Sequence, residues 1–553
     1  MGLKISRFSI IVSFLFSYNS SFSQGDISGN VETVFQYLNE DTLIGAVQPP
    51  EKSLLNAYAN INYRNSGFKA GVRMEAYMPR ILGYPDRFEG AGMGYRYFGY
   101  ENDIVDITFG NFYDQFGSGL IFRAYEDRAL GFDNMMNGAR LKLKPYKGVS
   151  IRGVIGKQRL SFTNGENLYG AGTVRGTDVE IDLNQIFPKM YENQVRLNVA
   201  GSFVSKYQRD NNPDLILPEN VGAYGGRFDF GYKKFFLNGE YIIKEQDPSQ
   251  DNGYIYNHGN AILINTGYSQ KGFGVLFSAK SLDNMSFRSD RDAALQDVWI
   301  GFIPPLTKTH TYNLVATLYP YESQPAGEVA FQGDLFYKIP KGTPLGGKYG
   351  TDIALNYSTA FEPIKRTSGF MPMDETRVAY TTRLFDKSDL IYWRDINVMI
   401  ERKINKKWKL KASYFNILFN NDIMKLVQAQ GLIESHIGVL EAQYKINRKH
   451  SIRVELQGLW TVDRRDRGDW ATLVVEYNIS PDWFFSVIYQ SNYGNPNPED
   501  QVDYPTVVVG KIWGPTRLQV GYGRQNEGLF CVGGVCRFVP ATNGLTVTFS
   551  HSF

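Results

Sequence analysis

A chain of 553 residues is long enough for several soluble domains, yet its 55 Gly, 36 Tyr and 37 Phe are spread along it with no Pro/Ser-rich linker and no helical heptad pattern to separate such domains. A mean hydropathy of −0.31 excludes a bundle of membrane helices, but not a barrel whose strands are apolar on one face only. The net charge of +3 comes with no basic domain, so nucleic-acid binding has no support.

Residues 1–23 read as a secretory signal peptide. Lys4 and Arg7 form the charged region, Phe8 opens a short apolar stretch ending near Ser17, and Ser21 and Ser23 are the small residues before a cut at Gln24. The apolar stretch is about half of the roughly 20 residues a spanning helix needs. No cysteine lies near the cut to take a lipid anchor.

From about Ile27 onward one pattern recurs. Phe68, Ala70, Val72 and Met74 alternate with Lys69, Gly71, Arg73 and Glu75. Ala139, Leu141 and Leu143 alternate with Arg140, Lys142 and Lys144, and Ile452, Val454 and Leu456 with Arg453, Glu455 and Gln457. Such two-faced alternation marks strands with different surroundings on their two sides. Tight links such as 405–407, 447–450, 480–482 and 513–515 alternate with long polar stretches such as 420–434, 492–503 and 525–543. Short periplasmic turns and long outer loops are the signature of an outer-membrane barrel. The predicted fold is therefore all-β: a single large transmembrane antiparallel β-barrel over residues 24–553, with no plug domain. It has about 26 strands, within an even-numbered range of 22–28. Stretches 283–308 and 361–376 are where a hairpin is hardest to place.

In that topology residues 112–137 form the third outer loop. It carries Asp114, Arg123, Glu126, Asp127, Arg128 and Asp133 interleaved with Phe112, Tyr113, Phe116, Phe122 and Tyr125, with Gly117 and Gly119 allowing sharp turns. Folded inward, these charges would act as a constriction filter. Folded outward, they would pack on neighbouring loops or hold a partner. The lumen-facing row Lys69, Arg73, Arg140, Lys142, Lys144 and Arg152 would favour anions unless acids such as Glu75, Glu180 and Asp182 neutralise it; near-balanced total charge favours neutralisation. Lys157 and Arg159 join the row only if a bulge shifts the register.

Trp408, Trp483 and Trp513 lie beside short turns, and Trp393, Trp460 and Trp470 near the outer ends of strands; the six read as two interfacial aromatic belts. Cys531 and Cys536 flank Val532-Gly533-Gly534-Val535, so a two-residue hairpin makes them a facing pair able to form a disulfide in an oxidising envelope. At the C-terminus Leu545, Val547, Phe549 and Phe553 alternate with hydroxylated residues, which resembles the insertion signal read by barrel-assembly machinery.

Gly110-Asn-Phe-Tyr-Asp-Gln-Phe-Gly-Ser-Gly-Leu-Ile-Phe-Arg-Ala-Tyr-Glu-Asp-Arg-Ala-Leu-Gly-Phe-Asp-Asn134 is similar to a block of an uncharacterised family of large, porin-like outer-membrane barrels in Bacteroidota, and Gly346-Gly-Lys-Tyr-Gly-Thr351 looks like a second shared block. The resemblance implies location and fold but neither reaction nor substrate.

Enzyme chemistry has no sequence support. His258, His310, His436, His450 and His551 are scattered, and no zinc-protease motif, nucleophile elbow or phosphate loop occurs. No metal or cofactor is expected. The leading expectation is a passive porin-like channel with an inward third loop. The alternative is a non-transport structural subunit of a larger outer-membrane complex for secretion, barrel assembly or surface nutrient uptake. Expected partners are outer-membrane lipid, the assembly machinery during biogenesis, and other outer-membrane proteins or lipoproteins.

Overall fold

The computed structural model describes residues 25–294, 296–367, 380–425, 430–532 and 535–553. Residues 1–23, read above as a signal peptide, and Gly533-Gly534, expected as the hairpin turn, lie outside the described residues.

Twenty-four antiparallel strands form one closed sheet. Each pairs with the next in sequence, and the first, Asp26–Asn39, pairs with the last, Thr542–Ser552, from Asn30↔Ser552 to Asn39↔Asn543. Closure leaves no edge, as a sheet in hydrocarbon requires, because every backbone N–H and C=O must find an internal partner. The outward-facing Tyr37, Phe35 and Thr33 lie opposite Leu545, Val547 and Phe549 in this seam. Phe553 completes it by exchanging backbone hydrogen bonds with Gly29, 2.9 Å each way. Deleting Phe553 removes the last rung and its ring. The expected result is loss of protein from the outer-membrane fraction with accumulation in the periplasm, read by fractionation; normal outer-membrane levels would overturn it.

The count is 24, inside the expected even-numbered range of 22–28 and two below its central value of 26, and the difference has a location. Residues 284–326, between strands Phe273–Asp283 and Gly327–Ile339, form a single outer loop with no barrel strand among the described residues. Val298, Ile300, Phe302 and Ile303 imitate a strand in sequence, but they are buried by a different packing, inside the barrel. The described part of 361–376 adds only the two-residue pair Arg366–Thr367 with Tyr380–Thr381.

Candidate functional site

Because side chains alternate across a strand, register assigns each residue to lipid or lumen. Trp408, Trp483 and Trp513 are well exposed on the lipid side at the periplasmic ends of their strands, and Trp460 is exposed near an outer end. Trp393 and Trp470 are not belt residues. Each is almost fully buried on the luminal side. Trp393 shares its face with the buried Asp395 and Asn397 and donates from Nε1 to the Tyr319 carbonyl, 3.2 Å. Trp470 stacks on Tyr504, 5.9 Å between centroids. Position near a strand end told nothing about which face a tryptophan takes.

These two tryptophans are luminal because the outer half of the lumen is filled. Residues 284–326 turn inward and lie on the wall along their length. Lys244 donates to the Ser286 carbonyl, 2.6 Å, and Lys280 to that of Pro304, 2.8 Å. Gln158 donates to the carbonyl of Trp299, 2.6 Å. His310 meets Asp395, 2.6 Å, and the Leu314 N–H donates to Gln457, 3.0 Å. Leu306, Tyr312, Leu314, Val315, Leu318 and Tyr319 then pack on inward Phe415, Ile417, Phe419, Ile437 and Leu459 in one apolar cluster. An apolar inner wall would be costly in an open aqueous pore, and burial against the loop removes that cost.

The third outer loop, residues 113–135, lies inside as well. Its tip reaches the strand Phe235–Lys244, where the Ser118 N–H donates to Glu240, 3.0 Å. Gly117 has φ +54, and a Cβ there would stand 2.8 Å from Glu240, so the tip's approach requires glycine. At the other side Arg128 pairs with Glu32 of the first strand, 2.7 Å. Two backbone hydrogen bonds join this loop to the longer one: Arg123 N to Ile300 O, 2.7 Å, and Phe302 N to Gly119 O, 2.8 Å. Arg123 spreads its guanidinium over the Tyr125 and Phe302 rings.

The loop's acids are tethers and not free filter charges. Glu126 pairs with Arg73, 2.9 Å, and Arg128, 3.2 Å. Asp133 pairs with Arg159, 2.7 Å, and Arg73, 3.3 Å. Asp114 lies 3.5 to 3.9 Å from Lys142, Arg140 and Arg152. Asp127 accepts from the Leu130 N–H, 3.0 Å. Burial, and after it the Asp133 carboxylate, raise the Glu126 carboxyl above its ordinary range despite both arginines. Most of the basic row of the wall is neutralised; the exposed Lys144 has no ion pair among the described residues. Lys69 meets Glu101 and Asp106, Arg140 meets Asp106, and Arg73 and Arg159 both meet Glu75. Glu180 faces Arg152 at 3.9 Å, whereas Asp182 caps a helical turn by accepting from Asn184 and Gln185. A register shift between Lys157 and Arg159 turns Arg159 inward and leaves Lys157 exposed outside.

Cys531 and Cys536 are disulfide-bonded, Cα atoms 4.1 Å apart, in the hairpin Gly528–Val532 with Val535–Val539. The hairpin closes over both inward loops. Gln296 donates to the Cys536 carbonyl, Val535 packs with Leu130, Phe132 and Phe302, and Arg537 donates to Gly83 O, 2.7 Å. Replacing both cysteines with serine removes about 2 kcal/mol of loop-closure stabilisation from the hairpin. Faster proteolytic nicking of the outer loops is expected, with barrel heat-resistance on gels unchanged. Identical nicking rates would show that packing alone holds the clasp.

Glu322, in the long loop, is held up to about 7 by burial alone. The folded loop therefore prefers the protonated acid, while the released loop has an ordinary carboxyl. Between roughly pH 4.5 and 7 the released state binds fewer protons, so docking weakens as pH rises through that window. Glu322→Gln should abolish this pH dependence, measured as protease protection of the loop from pH 4.5 to 8; a slope equal to wild type would assign it elsewhere.

Sequence reasoning found the third loop but missed the longer one, Glu240 and the Arg73–Glu75–Arg159 cluster.

The match to solved structures lies in barrel architecture. The copper transporter OprC has 11% identity and a TM-score of 0.40, with 97% of this chain and 81% of that one covered. The siderophore receptor PirA from Pseudomonas aeruginosa has 10% identity and a TM-score of 0.38, covering 97% and 82%. OccD1 (OprD) has 8% identity and a TM-score of 0.35, covering 96% of each. No curated protein sequence matches the chain. This outer-membrane β-barrel belongs to the family of unknown function DUF6029, whose model it matches over residues 3–553.

Proposed function

We propose that the protein is a porin-like passive channel, narrowed from its outer side by two loops folded into the lumen. The observation that carries this reading is the division of the inner wall. Its outer half, apolar along the strands that bear Phe415, Ile437 and Leu459 and carrying buried charges such as Arg159, Lys244 and Lys280 elsewhere, is covered by residues 113–135 and 284–326. Its periplasmic half is lined by charged groups that remain partly exposed, among them Arg152 with Glu180, Arg453 with Glu441 and Glu476, and the exposed Asp229. Such a wall holds water and suits polar solutes, and the loops set a size limit at the mouth. The tethered state of Asp114, Glu126 and Asp133 supports size exclusion over a transverse-field filter at this loop.

Liposome swelling tests the reading. Vesicles carrying the protein should admit the smallest sugars and amino acids and exclude larger oligosaccharides. A barrel impermeable to every solute, and still impermeable after the long loop is shortened, would favour the second reading: a non-transport structural subunit of a larger outer-membrane complex.

A further inference from the structure

We infer that Arg96 and the apolar groove beside it seat an anionic phospholipid of the periplasmic leaflet on the barrel's outer wall. The inference is independent of whether the lumen conducts.

Arg96 stands in the strand Gly90–Glu101 and faces lipid. It lies opposite Val72, which is exposed on the outer face, and two residues before Phe98, which is 63% exposed on the same side. Its neighbours Tyr95 and Tyr97 point the other way, Tyr95 against Arg73 and Tyr97 to Asn62. Arg96 is five residues above Glu101, where the strand meets its periplasmic turn. With the usual rise and tilt that is roughly 12 Å, near the middle of an apolar band about 25 Å tall. Three other outward cations sit higher. Arg175, Lys157 and Arg394 are seven, eight and nine residues above their periplasmic strand ends. Arg175 donates to Asn220, 2.9 Å, and Arg394 to Asn416, 2.8 Å.

Arg96 has no such acceptor. Its backbone N–H donates to Asn111, 2.9 Å, but no carboxylate, amide or hydroxyl among the described residues accepts from its guanidinium. A lipid-facing arginine at mid-height costs about 2–4 kcal/mol. The cost falls if the side chain reaches down toward the interface and the leaflet thins locally to bring an acceptor up to it. The acceptor available there is a lipid phosphodiester, and a guanidinium binds phosphate through two parallel N–H···O bonds.

The wall around Arg96 is shaped for the rest of such a lipid. A groove of about 400 Å³ is lined by Ile61, Tyr63, Ala70, Val72, Phe98 and Phe109, with Arg96 on its border. Phe98 and Phe109 stack at 5.4 Å to form one side, and the small Ala70 leaves the floor low. An acyl chain lying in this groove places its own phosphate on the periplasmic side, below Arg96. A second copy of this chain fits less well, because the outward face it would present here carries no carboxylate at that height among the described residues.

The test is native mass spectrometry of full-length protein recovered from mixed phosphatidylethanolamine and phosphatidylglycerol vesicles into mild detergent. Wild type should retain one phosphatidylglycerol severalfold in preference to phosphatidylethanolamine. Arg96→Leu should lose that preference, Arg96→Lys should keep part of it, and Ala70→Leu, which fills the floor, should lower occupancy with the arginine intact. Leucine at a lipid-facing position is compatible with insertion, and unheated-gel migration verifies folding of each variant. Equal retention of both lipids, or equal retention by wild type and Arg96→Leu, would overturn the inference. So would a co-purifying protein released by Arg96→Leu, which would make this wall a protein interface.

Discussion

Replacing residues 305–322 with a short glycine linker should raise single-channel conductance severalfold. This segment supplies Leu306, Tyr312, Leu314, Val315, Leu318, Tyr319 and Tyr321 to the luminal apolar cluster. Its removal opens the part of the lumen that this cluster fills, and ionic current scales with the open cross-section. The barrel itself should survive, because its ladders close without the loop, from Asp26–Asn39 through to Thr542–Ser552. The newly wetted Phe415, Ile417, Phe419 and Trp393 will cost some stability by exposing apolar surface, at about 25 cal/mol per Å². A lower unfolding midpoint with retained heat-modifiability is therefore expected together with the higher current. Planar-bilayer recordings decide the matter. Conductance unchanged by the deletion would mean that something other than this loop sets the constriction. A barrel closed before and after deletion would remove the channel reading altogether.

The fold was legible in the sequence because lipid leaves a strong signature. Rows such as Ala139, Leu141 and Leu143 against Arg140, Lys142 and Lys144 can only be strands with hydrocarbon on one side and a polar lumen on the other. The short links fixed which end was periplasmic. What the sequence could not fix was anything decided inside the barrel. The run from Val298 to Ile303 has the apolar content of a strand, and only three-dimensional packing makes it a luminal plug. Trp393 and Trp470 have belt-like positions in the chain, yet luminal partners claim them. The charges of the third loop were visible one by one, but not their partners, since Arg73, Arg159 and Glu240 come from strands far away in sequence. A charge read alone suggests a filter; the same charge beside its counter-ion is an anchor.

That anchor makes the strongest single-residue expectation. Arg159 is 1% exposed and joins the wall to the third loop through Glu75, 2.7 Å, and Asp133, 2.7 Å, with its plane between the Phe88 and Phe162 rings. Arg159→Leu leaves Glu75 and Asp133 with Arg73 alone, which Glu126 also uses beside Arg128, in a site with little access to water. Breaking a buried ion pair by removing one partner typically costs about 3–5 kcal/mol, because the remaining charge stays desolvated. Two outcomes separate a local from a global effect. If the cost falls on the whole barrel, the urea midpoint drops and conductance per folded molecule stays put. If it is relieved by release of residues 113–135, the midpoint falls less, conductance rises, and protease begins to cut near Arg128. The second result is expected, since the loop can leave the wall whereas the strands cannot leave the ladder. Adding Glu75→Gln to Arg159→Leu removes one stranded carboxylate and should recover part of the loss. A double variant as unstable as the sum of the two single ones would show that the pair contributes little beyond its packing on the two phenylalanines, and the tether account would then fail.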